Sequence, residues 1–486
     1  HIRASLPARP AGIALALATG DQGSVGEADA EAMRRSGLAH LLSVSGLHIT
    51  AAVGAAMLLS RRALALSPKL ALRLPLMQIA AGVGALTGVA YTFLSGAEVP
   101  TVRACAAALL VLLGLALGRE AMTLRLVAAG ALIVLLAWPE ALIGPSFQLS
   151  FAAVTAIVAL HEHPWMRRFT AARDEGLLAR LGRNLMVLLL SGIAVEVVLA
   201  PIALYHFHRE GLYGALANIV AIPFTTFVVM PLELLALLFD PVGAGAPFWW
   251  LTGRSIELLL ELAHFAGHAP GAVALLPTIP RGAFALLVIG GLWLLLWSTR
   301  LRWAGSLPFA AGAVWAFVTP APDLLVTGDG RHLALRGVDG RMALLRPRTG
   351  DFVRDMLAEA AGIDAELPEL DALPNAQCSE DACRAVVTRG GHSWTLLATR
   401  SSYLAPIDAI NGACAGADVV VSDRRLPRSC VPRWLKLDRD ALARTGGVAI
   451  RFDMPPNVRV TRRLDDAHPW VVDPLHNSGT AGHDRP

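Results

Sequence analysis

Long apolar runs fill most of residues 38–319 and constrain the fold of this chain more than any other feature. Most have close to the roughly 20 residues that one helix needs to cross a bilayer. The mean hydropathy of +0.53 is too high for an ordinary soluble protein. The sequence therefore predicts a polytopic all-α membrane bundle of about ten spans, at 38–59, 74–95, 99–118, 124–143, 147–163, 185–205, 214–239, 247–268, 281–298 and 303–319.

Two of these runs are weaker candidates for membrane spans. The run at 147–163 is short and is tied to its predecessor by Gly144-Pro145. The run at 247–268 has four polar or charged side chains, as a helix lying on the membrane surface has: Arg254, Glu257, Glu261 and His264.

Basic residues in the connecting segments test the number of crossings. If all ten runs cross, one face of the membrane receives thirteen Lys and Arg residues, and the connecting loops of the other face receive only Arg209 and Arg281. Basic loops remain cytoplasmic. The asymmetry favours ten crossings and places both the N-terminal segment and the C-terminal domain outside the cytoplasm, in the periplasm if the cell has an outer membrane. The thirteen residues are Arg61, Arg62, Lys69, Arg73, Arg119, Arg125, Arg167, Arg168, Arg173, Arg180, Arg183, Arg300 and Arg302.

Composition changes near Pro322 and divides the chain. Residues 1–322 hold 21 Lys+Arg and 16 Asp+Glu, a net charge of +5, whereas residues 323–486 hold 21 and 22, a net charge of −1. The total of +4 is too small to indicate nucleic-acid binding by itself. We predict an interfacial helical segment at 1–37, a membrane domain at 38–322, a soluble domain at 323–473 and a disordered tail at 474–486. Since the chain starts at His1 without a signal-peptide pattern, we expect it to be a fragment of a longer protein.

The first apolar run contains an unusual set of polar residues. Two histidines and two serines occur within the otherwise apolar stretch from Leu38 to Leu59. Polar groups at bilayer depth indicate function by default, since they must face a protein interior or water. In a single helix His40 and His48 share one face, with Ser45 beside it. This face is predicted to line a cavity.

The same stretch carries a family resemblance. His40-Leu41-Leu42-Ser43-Val44-Ser45-Gly46-Leu47-His48 resembles the His-Leu-Leu-(Ala/Ser)-(Ile/Val)-Ser-Gly-(Leu/Met)-His signature of the ComEC/Rec2 competence proteins, membrane channels that bring DNA into bacteria. Three further elements follow in the order that the family has. The first ends in Arg103-Ala104, the second is Gln148-Leu149-Ser150-Phe151 and the third runs from Asn218 to Pro223. The resemblance implies a translocation site made of His40, Ser43, Ser45, Gly46, His48, Arg103, Gln148, Ser150, Asn218 and Pro223.

Several of these residues also have a simpler interpretation. Arg103 begins a span, where an arginine often extends towards the membrane surface as an anchor. Gln148 can form a hydrogen bond between two helices of a bundle. For both residues the structural and the functional interpretation remain open from the sequence alone.

The C-terminal domain alternates short apolar segments with glycine-containing turns and includes a predicted helix at 349–361, so its class is α/β or α+β. Many ComEC-type proteins resemble metallo-β-lactamases here, with metal ligands in a His-x-His-x-Asp-His motif. That motif is missing, and the five histidines of this domain are scattered. The resemblance implies a degenerate domain of that fold, without metal and without nuclease activity.

Four of the five cysteines fall in this domain. An even number outside the cytoplasm favours disulfides, most simply Cys378 with Cys383 and Cys414 with Cys430, although four cysteines allow three pairings. A zinc site is the alternative, but the spacing lacks the usual pairs of closely spaced ligands.

The resemblance implies an inner-membrane channel that imports single-stranded DNA during natural transformation. Its partners are then membrane lipid, a DNA receptor outside the cell and a cytoplasmic motor, with a homo-oligomer as a further possibility. No cofactor is indicated, and the chain has no Walker A motif of its own. Two alternatives remain, a secondary transporter with Glu196 or Glu233 as a proton site, and an intramembrane hydrolase built on Ser45 and His48.

Overall fold

The chain folds into two units, which are described separately. The computed structural model describes residues 1–44, 46–97, 99–118, 123–171, 173–346 and 348–462. A helical unit comprises His1–Ala274 and Arg281–Ala313. A sheet unit comprises Leu275–Pro280 and Val314–Pro486. The predicted tail at 474–486 lies outside the described residues.

Helices account for nearly all the regular structure of the helical unit, and three more belong to the sheet unit. In chain order they are α1 (Ile2–Ser5), α2 (Ala8–Thr19), α3 (Glu27–Arg35), α4 (Gly46–Ala65), α5 (Pro68–Arg73), α6 (Leu76–Leu94), α7 (Val99–Ala116), α8 (Leu124–Ala137), α9 (Pro145–Glu162), α10 (Pro164–Thr170), α11 (Leu177–Phe207), α12 (Gly214–Phe224), α13 (Met230–Phe239), α14 (Ala246–Gly267), α15 (Arg281–Leu296), α16 (Ser306–Val318), α17 (Asp351–Ala361), α18 (Ile407–Ala415) and α19 (Arg439–Thr445).

Three helical stretches are long and apolar enough to cross a membrane. They are Leu76–Leu94, Leu177–Phe207 and Gly214–Val242, the last of which includes α12, α13 and the residues between them. Helices at Thr101–Ala116, Leu124–Ala137 and Arg281–Leu296 are apolar but shorter. Within the described residues, these helices establish an apolar helical bundle. They do not establish the ten spans predicted from the sequence.

The first predicted span is wrong in its boundaries. Residues 39–41 form a short 3₁₀ turn and α4 begins only at Gly46, so His40 and His48 do not share one continuous helix. Local hydrogen bonds explain the break: the Ser43 hydroxyl donates to the His40 carbonyl, and the Val44 carbonyl accepts from the Thr101 hydroxyl of α7. These contacts occupy carbonyls that a continuous helix would use.

Helix α14 is the centre of the largest core in the helical unit. Trp249, Ile256, Leu259 and Leu260 of this helix are almost completely buried, together with apolar residues of α1 to α3, α12 and α13. The N-terminal segment is part of this core, since Ile13 and Met33 are also fully buried. Burial of each such side chain contributes roughly 1.5–3 kcal/mol, which fixes the N-terminal helices against α14.

A polar cluster beside this core orients α3. The Asp29 carboxylate accepts hydrogen bonds from Arg9 of α2 and from His264 of α14, each at 2.7 Å. The hydrogen bond from Arg9 lowers the pKa of Asp29, against the opposing effect of burial. The sequence pattern Ser24-x-x-Glu27 predicts a capping box here, but the Ser24 hydroxyl instead donates to Asp21, and α3 starts after Gly26.

The helix formed by α12 and α13 is irregular in its middle. Pro223 lies near the end of α12, a five-residue π-helix follows at Thr225–Val229, and Pro231 lies at the start of α13. A proline removes one backbone donor and clashes with the preceding turn, so the regular hydrogen-bond pattern is lost. π-Helical segments of this kind occur frequently at functional sites.

Ten of the twelve strands form two five-stranded sheets in the sheet unit. The strands are β1 (Arg209–Gly211), β2 (Val273–Leu275), β3 (Leu324–Val326), β4 (Leu333–Arg336), β5 (Met342–Leu344), β6 (Ala376–Cys378), β7 (Ala382–Arg389), β8 (His392–Thr399), β9 (Val419–Val421), β10 (Leu435–Leu437), β11 (Val448–Arg451) and β12 (Asn457–Val460). The first sheet has the order β12-β11-β3-β4-β5 and is antiparallel throughout. The second has the order β10-β9-β8-β7-β6, with β8, β9 and β10 parallel to one another.

The two sheets pack face to face between helices. A shared core joins Leu324, Val326 and Leu335 of one sheet with Val387 and Leu396 of the other. Leu357 of α17 packs on the outer face of the first sheet, and Cys414 of α18 on the outer face of the second. The result is a four-layered α/β domain. Disulfides join Cys378 to Cys383 and Cys414 to Cys430, the two pairs that the spacing favoured.

Candidate functional site

The helical unit contains a cavity of about 590 Å³. This volume is within the range of about 300–1,000 Å³ that small-molecule sites have. The cavity follows α11 from Arg183 to Ser191, a rise of about 12 Å along the helix. Leu47 at the start of α4, and Ile222 and Pro223 of the irregular helix, form other parts of its wall.

Polar and aromatic side chains line this cavity within an otherwise apolar bundle. They are Arg183, Asn184, Ser191, His161, Thr170, Thr226 and Phe227. His161 uses its Nδ1 atom to bond the Ile157 carbonyl at 2.8 Å. The lining therefore offers a guanidinium, an amide, hydroxyls, an imidazole and one aromatic ring, groups that can bind phosphate and stack on a base.

The irregular helix brings further polar atoms into the interior. Within the described residues, the Asn218 Oδ1 atom and the hydroxyls of Thr225 and Thr226 are buried and have no hydrogen-bond partner. Buried polar atoms are normally paired, by protein or by water. Of these residues Thr226 lines the cavity, so its free hydroxyl is available to water or to a ligand.

An ion pair holds the cationic side chain of the cavity. Arg183 Nη1 is 2.5 Å from the Glu175 carboxylate and 3.4 Å from the Ala171 carbonyl. Helical side chains point towards the N-terminus of their helix, so Arg183 reaches back past the first turn of α11 to Glu175, which precedes that helix. The side chain of Arg183 is 13% exposed and that of Glu175 is 20% exposed.

The residues of the signature stretch have different environments. His48 is fully buried within α4, whereas His40 is exposed and its Nδ1 atom is 3.1 Å from the Gly37 carbonyl. Ser43 is partly buried and Gly46 is exposed at the start of α4. Ser45 lies outside the described residues.

Arg103 and Gln148, two of the remaining predicted residues, each form a hydrogen bond with a side chain of another helix. Arg103 of α7 donates to the Ser146 hydroxyl at the start of α9. The Gln148 side-chain carbonyl accepts from His206 of α11 at 2.9 Å. Ser150 is exposed. Arg103 and Gln148 thus join α7, α9 and α11. Of the predicted residues that the structure describes, only Pro223 lines the cavity itself.

Most of the cavity is not apparent from the sequence. The inner-loop arginines are expected to contribute cations to a DNA path, but the sequence does not distinguish Arg183 among them and does not single out Asn184, Ser191 or Phe227. A usable signal was present: Asn184 and Ser191 are seven residues apart and so share one face of α11. Phe227 has no such signal, because it lies within the π-helix Thr225–Val229, where side chains do not follow the periodicity of an α-helix.

Comparison with known proteins identifies the family. The family model described as "Competence protein" matches residues 17–301, more than half of the chain. The chain belongs to the competence protein family. The match covers nearly all of the helical unit and every residue of the cavity wall.

Curated relatives agree with this assignment. The chain is 29% identical over 374 residues to competence protein ComA of Neisseria gonorrhoeae, covering 74% of the chain and 48% of that protein. It is 30% identical over 253 residues to uncharacterized protein YcaI of Escherichia coli, covering 51% and 32%, and 26% identical over 245 residues to recombination protein 2 of Haemophilus influenzae, covering 49% and 29%. The chain thus spans about half or less of the length of these relatives. No solved structure matches it.

The competence family resemblance raises the question of a metal site in the sheet unit, where the carboxyl ends of parallel β8, β9 and β10 meet. No group of three or more His, Cys, Asp or Glu side chains suited to a metal ion occurs in the described part of the chain. At this edge the Asp329 carboxylate is held by the Thr327 hydroxyl and the Arg331 backbone N–H. Although burial opposes them, these bonds lower the pKa of Asp329. For His332, at the same edge, burial has the opposite effect and is the main cause of a lowered pKa. Within the described residues, this edge therefore lacks the three or more ligand side chains that hold a metal ion in proteins.

An arginine connects the loops at this edge instead. Arg346 donates to the carbonyls of Arg331, Thr399 and Arg400 at 2.8, 3.4 and 3.0 Å, and to the Asp423 carboxylate at 3.0 Å. Its side chain is 13% exposed. One guanidinium therefore joins loops from both sheets, at the edge where the open ends of parallel strands commonly bind ligands.

Proposed function

We propose that this member of the competence family forms a membrane channel that carries single-stranded DNA into the cytoplasm during natural transformation. The observation that carries the proposal is the polar cavity of the helical unit. It combines a cation, hydrogen-bonding groups and an aromatic ring in one open pocket of an apolar bundle, next to the start of α4 and Pro223. Proteins that bind single strands without sequence preference use the same combination of basic groups and stacking platforms.

The size of the cavity indicates how a strand passes. A volume of 590 Å³ accommodates a small segment of a strand, so passage requires neighbouring helices to move. The irregular helix is suited to this movement, because its proline and π-helical segment leave backbone groups without regular partners. The unpaired hydroxyl of Thr226 then provides a hydrogen bond to whichever group passes.

The topology of the proposal is the one predicted from the sequence. About ten spans in an inner membrane place the basic connecting segments, including that of Arg183, on the cytoplasmic side. The cavity then opens towards the cytoplasm, and the Arg103–Ser146 and Gln148–His206 contacts lie on the outer side. In this orientation the sheet unit is extracytoplasmic, in agreement with its two disulfides.

The proposed partners follow from this role. A receptor outside the cell delivers DNA, and a cytoplasmic motor pulls the strand. The sheet unit acts in this scheme as a non-enzymatic domain, a degenerate relative of metallo-β-lactamases whose polar edge is held together by Arg346. Nuclease activity is then supplied by another protein.

Replacing the aromatic ring of the cavity tests the proposal. Cells carrying the full-length protein with Phe227→Ala are given labelled DNA, and delivery to the cytoplasm is compared with DNA retained outside it. Stacking is worth about 1–3 kcal/mol per base, so delivery should fall roughly tenfold. Phe265→Ala is the matched control, since Phe265 is also exposed, at 81%, but does not line the cavity.

Two results would contradict the proposal. Normal delivery after deletion of the whole gene would show that the protein has no part in import. Equal effects of Phe227→Ala and Phe265→Ala, at equal membrane levels, would show that the cavity is not the path. Selective loss with Phe227→Ala, and accumulation of DNA outside the cytoplasm, is the expected result.

A further inference from the structure

We infer that Arg183 is a phosphate-binding site in the wall of the cavity, and that Glu175 occupies this site while no nucleic acid is bound. The inference rests on the proposed function and assigns one contact within it. The ligand class is a phosphodiester group of a nucleic-acid strand. Glu175 then acts as an internal competitor that the strand displaces.

The hydrogen-bond pattern of Arg183 leaves room for such a ligand. In the described part of the chain, only its Nη1 atom has hydrogen-bond partners, Glu175 at 2.5 Å and the Ala171 carbonyl at 3.4 Å. A guanidinium has five N–H donors in a planar fork. The remaining donors of Arg183 are therefore available within a cavity that this residue lines.

A carboxylate and a phosphate are interchangeable partners for this side chain. Both present oxygen atoms that a guanidinium binds with two parallel hydrogen bonds. A phosphodiester brings the same single negative charge as Glu175, so exchange of one for the other leaves the net charge of the site unchanged. Arg183 therefore has a negatively charged partner before and after the exchange. An arginine without such a partner would carry the free-energy cost of an unpaired charge.

The surroundings of Arg183 match the other parts of a nucleotide. Asn184 is its neighbour on α11 and lines the same cavity, where its amide can bond a phosphate oxygen. Phe227 lies in the same wall and has an exposed ring, at 77%. A phosphate at Arg183 and a base at Phe227 occupy one continuous cavity of 590 Å³.

The position of Glu175 makes it a removable competitor and not a permanent part of the core. It precedes α11 in a connecting segment, where its side chain is 20% exposed. A carboxylate beside a helix N-terminus is also favourable there, so Glu175 keeps a stabilising interaction after it releases Arg183.

Binding of a short thymidine oligonucleotide tests the inference. The full chain is held in lipid nanodiscs, and the dissociation constant of a fluorescent oligonucleotide is measured by anisotropy at several salt concentrations. We expect Glu175→Gln to bind about tenfold more tightly, because the competing charge is removed. We expect Arg183→Gln to bind more weakly and to reduce the slope of log affinity against log salt by about 0.7, the effect of one phosphate contact on a single strand.

Matched variants separate binding from folding. Arg183→Lys keeps the charge without the planar fork and should retain most of the salt slope with weaker affinity. Arg254→Gln and Glu257→Gln change a second ion pair, 2.9 Å apart on α14 and away from the cavity, and should change neither affinity nor slope. Thermal unfolding of each variant verifies that the chain is intact.

The outcomes distinguish this inference from the proposed function. If oligonucleotide binding and DNA import persist but Glu175→Gln and Arg183→Gln match the wild type, the phosphate site is wrong and the channel stands. Weaker binding with both variants would show a purely structural ion pair and would also overturn the inference. If the gene has no effect on import, the proposed function itself fails. Tighter binding with Glu175→Gln and a smaller salt slope with Arg183→Gln support the site.

Discussion

The cavity of the helical unit and the loop edge of the sheet unit differ in how fully their arginines are paired. Among the described residues, the Thr226 hydroxyl of the cavity is buried without a hydrogen-bond partner, and Arg183 donates only from its Nη1 atom. At the loop edge Arg346 bonds three carbonyls and a carboxylate. Polar groups left unpaired inside a protein are expected to meet water or a ligand, whereas fully paired groups stabilise the fold. The comparison supports our proposal that the first region takes part in transport and that the second stabilises the fold.

The largest expected effect comes from filling the cavity. Ser191→Phe places a ring in the cavity wall and should reduce DNA import by on the order of tenfold or more, because the path is blocked. Val197→Phe on the same helix is the control, since Val197 is 60% exposed and does not line the cavity. Import is measured as labelled DNA in the cytoplasm at equal membrane levels of both variants. Unchanged import with Ser191→Phe would contradict the proposal that the cavity is the transport path.

The next effect tests the loop edge of the sheet unit. Arg346→Ala leaves Asp423 and several carbonyls without their donor and should destabilise this unit by roughly 2–4 kcal/mol. Hydrogen exchange of the β8 amides in the full chain measures the loss. Arg425→Ala, which breaks an exposed ion pair with Asp440, should change the exchange by less than about 1 kcal/mol. If Arg346→Ala instead abolished import without affecting exchange, the assignment of this edge to stability would be wrong.

The two disulfides provide a smaller and graded effect on the same unit. Cys414 and Cys430 are 16 residues apart in sequence and almost fully buried, whereas Cys378 and Cys383 are 5 apart. Loop entropy predicts a loss of about 3 kcal/mol for replacing the first pair by alanine and about 2 kcal/mol for the second. Hydrogen exchange of the β8 and β9 amides measures both losses. A larger loss from the second pair would indicate that loop entropy is not the main contribution.

The smallest effect concerns a partly buried acid outside the cavity. Burial, with the charge of Glu196 as a second cause, raises the pKa of Glu210 to about 7. The folded chain therefore keeps a proton that the unfolded chain releases near pH 4.5, its ordinary value. The resulting stability is fully present below that value and is lost as the pH rises through about 7.

Thermal unfolding between pH 5 and pH 8 measures this contribution. The melting temperature of the wild type should fall across this range by a few degrees, and Glu210→Gln should flatten the curve. Glu140→Gln, at an exposed acid, should leave the curve as it is in the wild type. A rising melting temperature in the wild type would contradict the sign of the effect.

The gap between predicted and observed site residues has a physical cause. The family resemblance implies residues of the α4 region with Arg103, Gln148 and Pro223, whereas the cavity depends mainly on α11, which supplies five of its twelve lining residues. Phe227, which lines the same cavity, belongs to the π-helix that follows Pro223. A π-helix depends on backbone hydrogen bonding and cannot be read from apolar periodicity.

The amino-acid sequence was sufficient to predict the helical class of the first unit, the α/β or α+β class of the second, the resemblance to the competence family and the two disulfide pairs. These properties follow from composition, short-range patterns and spacing, which act locally. The folded structure was needed to show that α4 begins at Gly46, that α14 is a core helix and that Arg183 lines a cavity beside Glu175. Each of these depends on contacts between distant segments, such as the bond from Thr101 to Val44, and distant contacts leave no local pattern in the sequence.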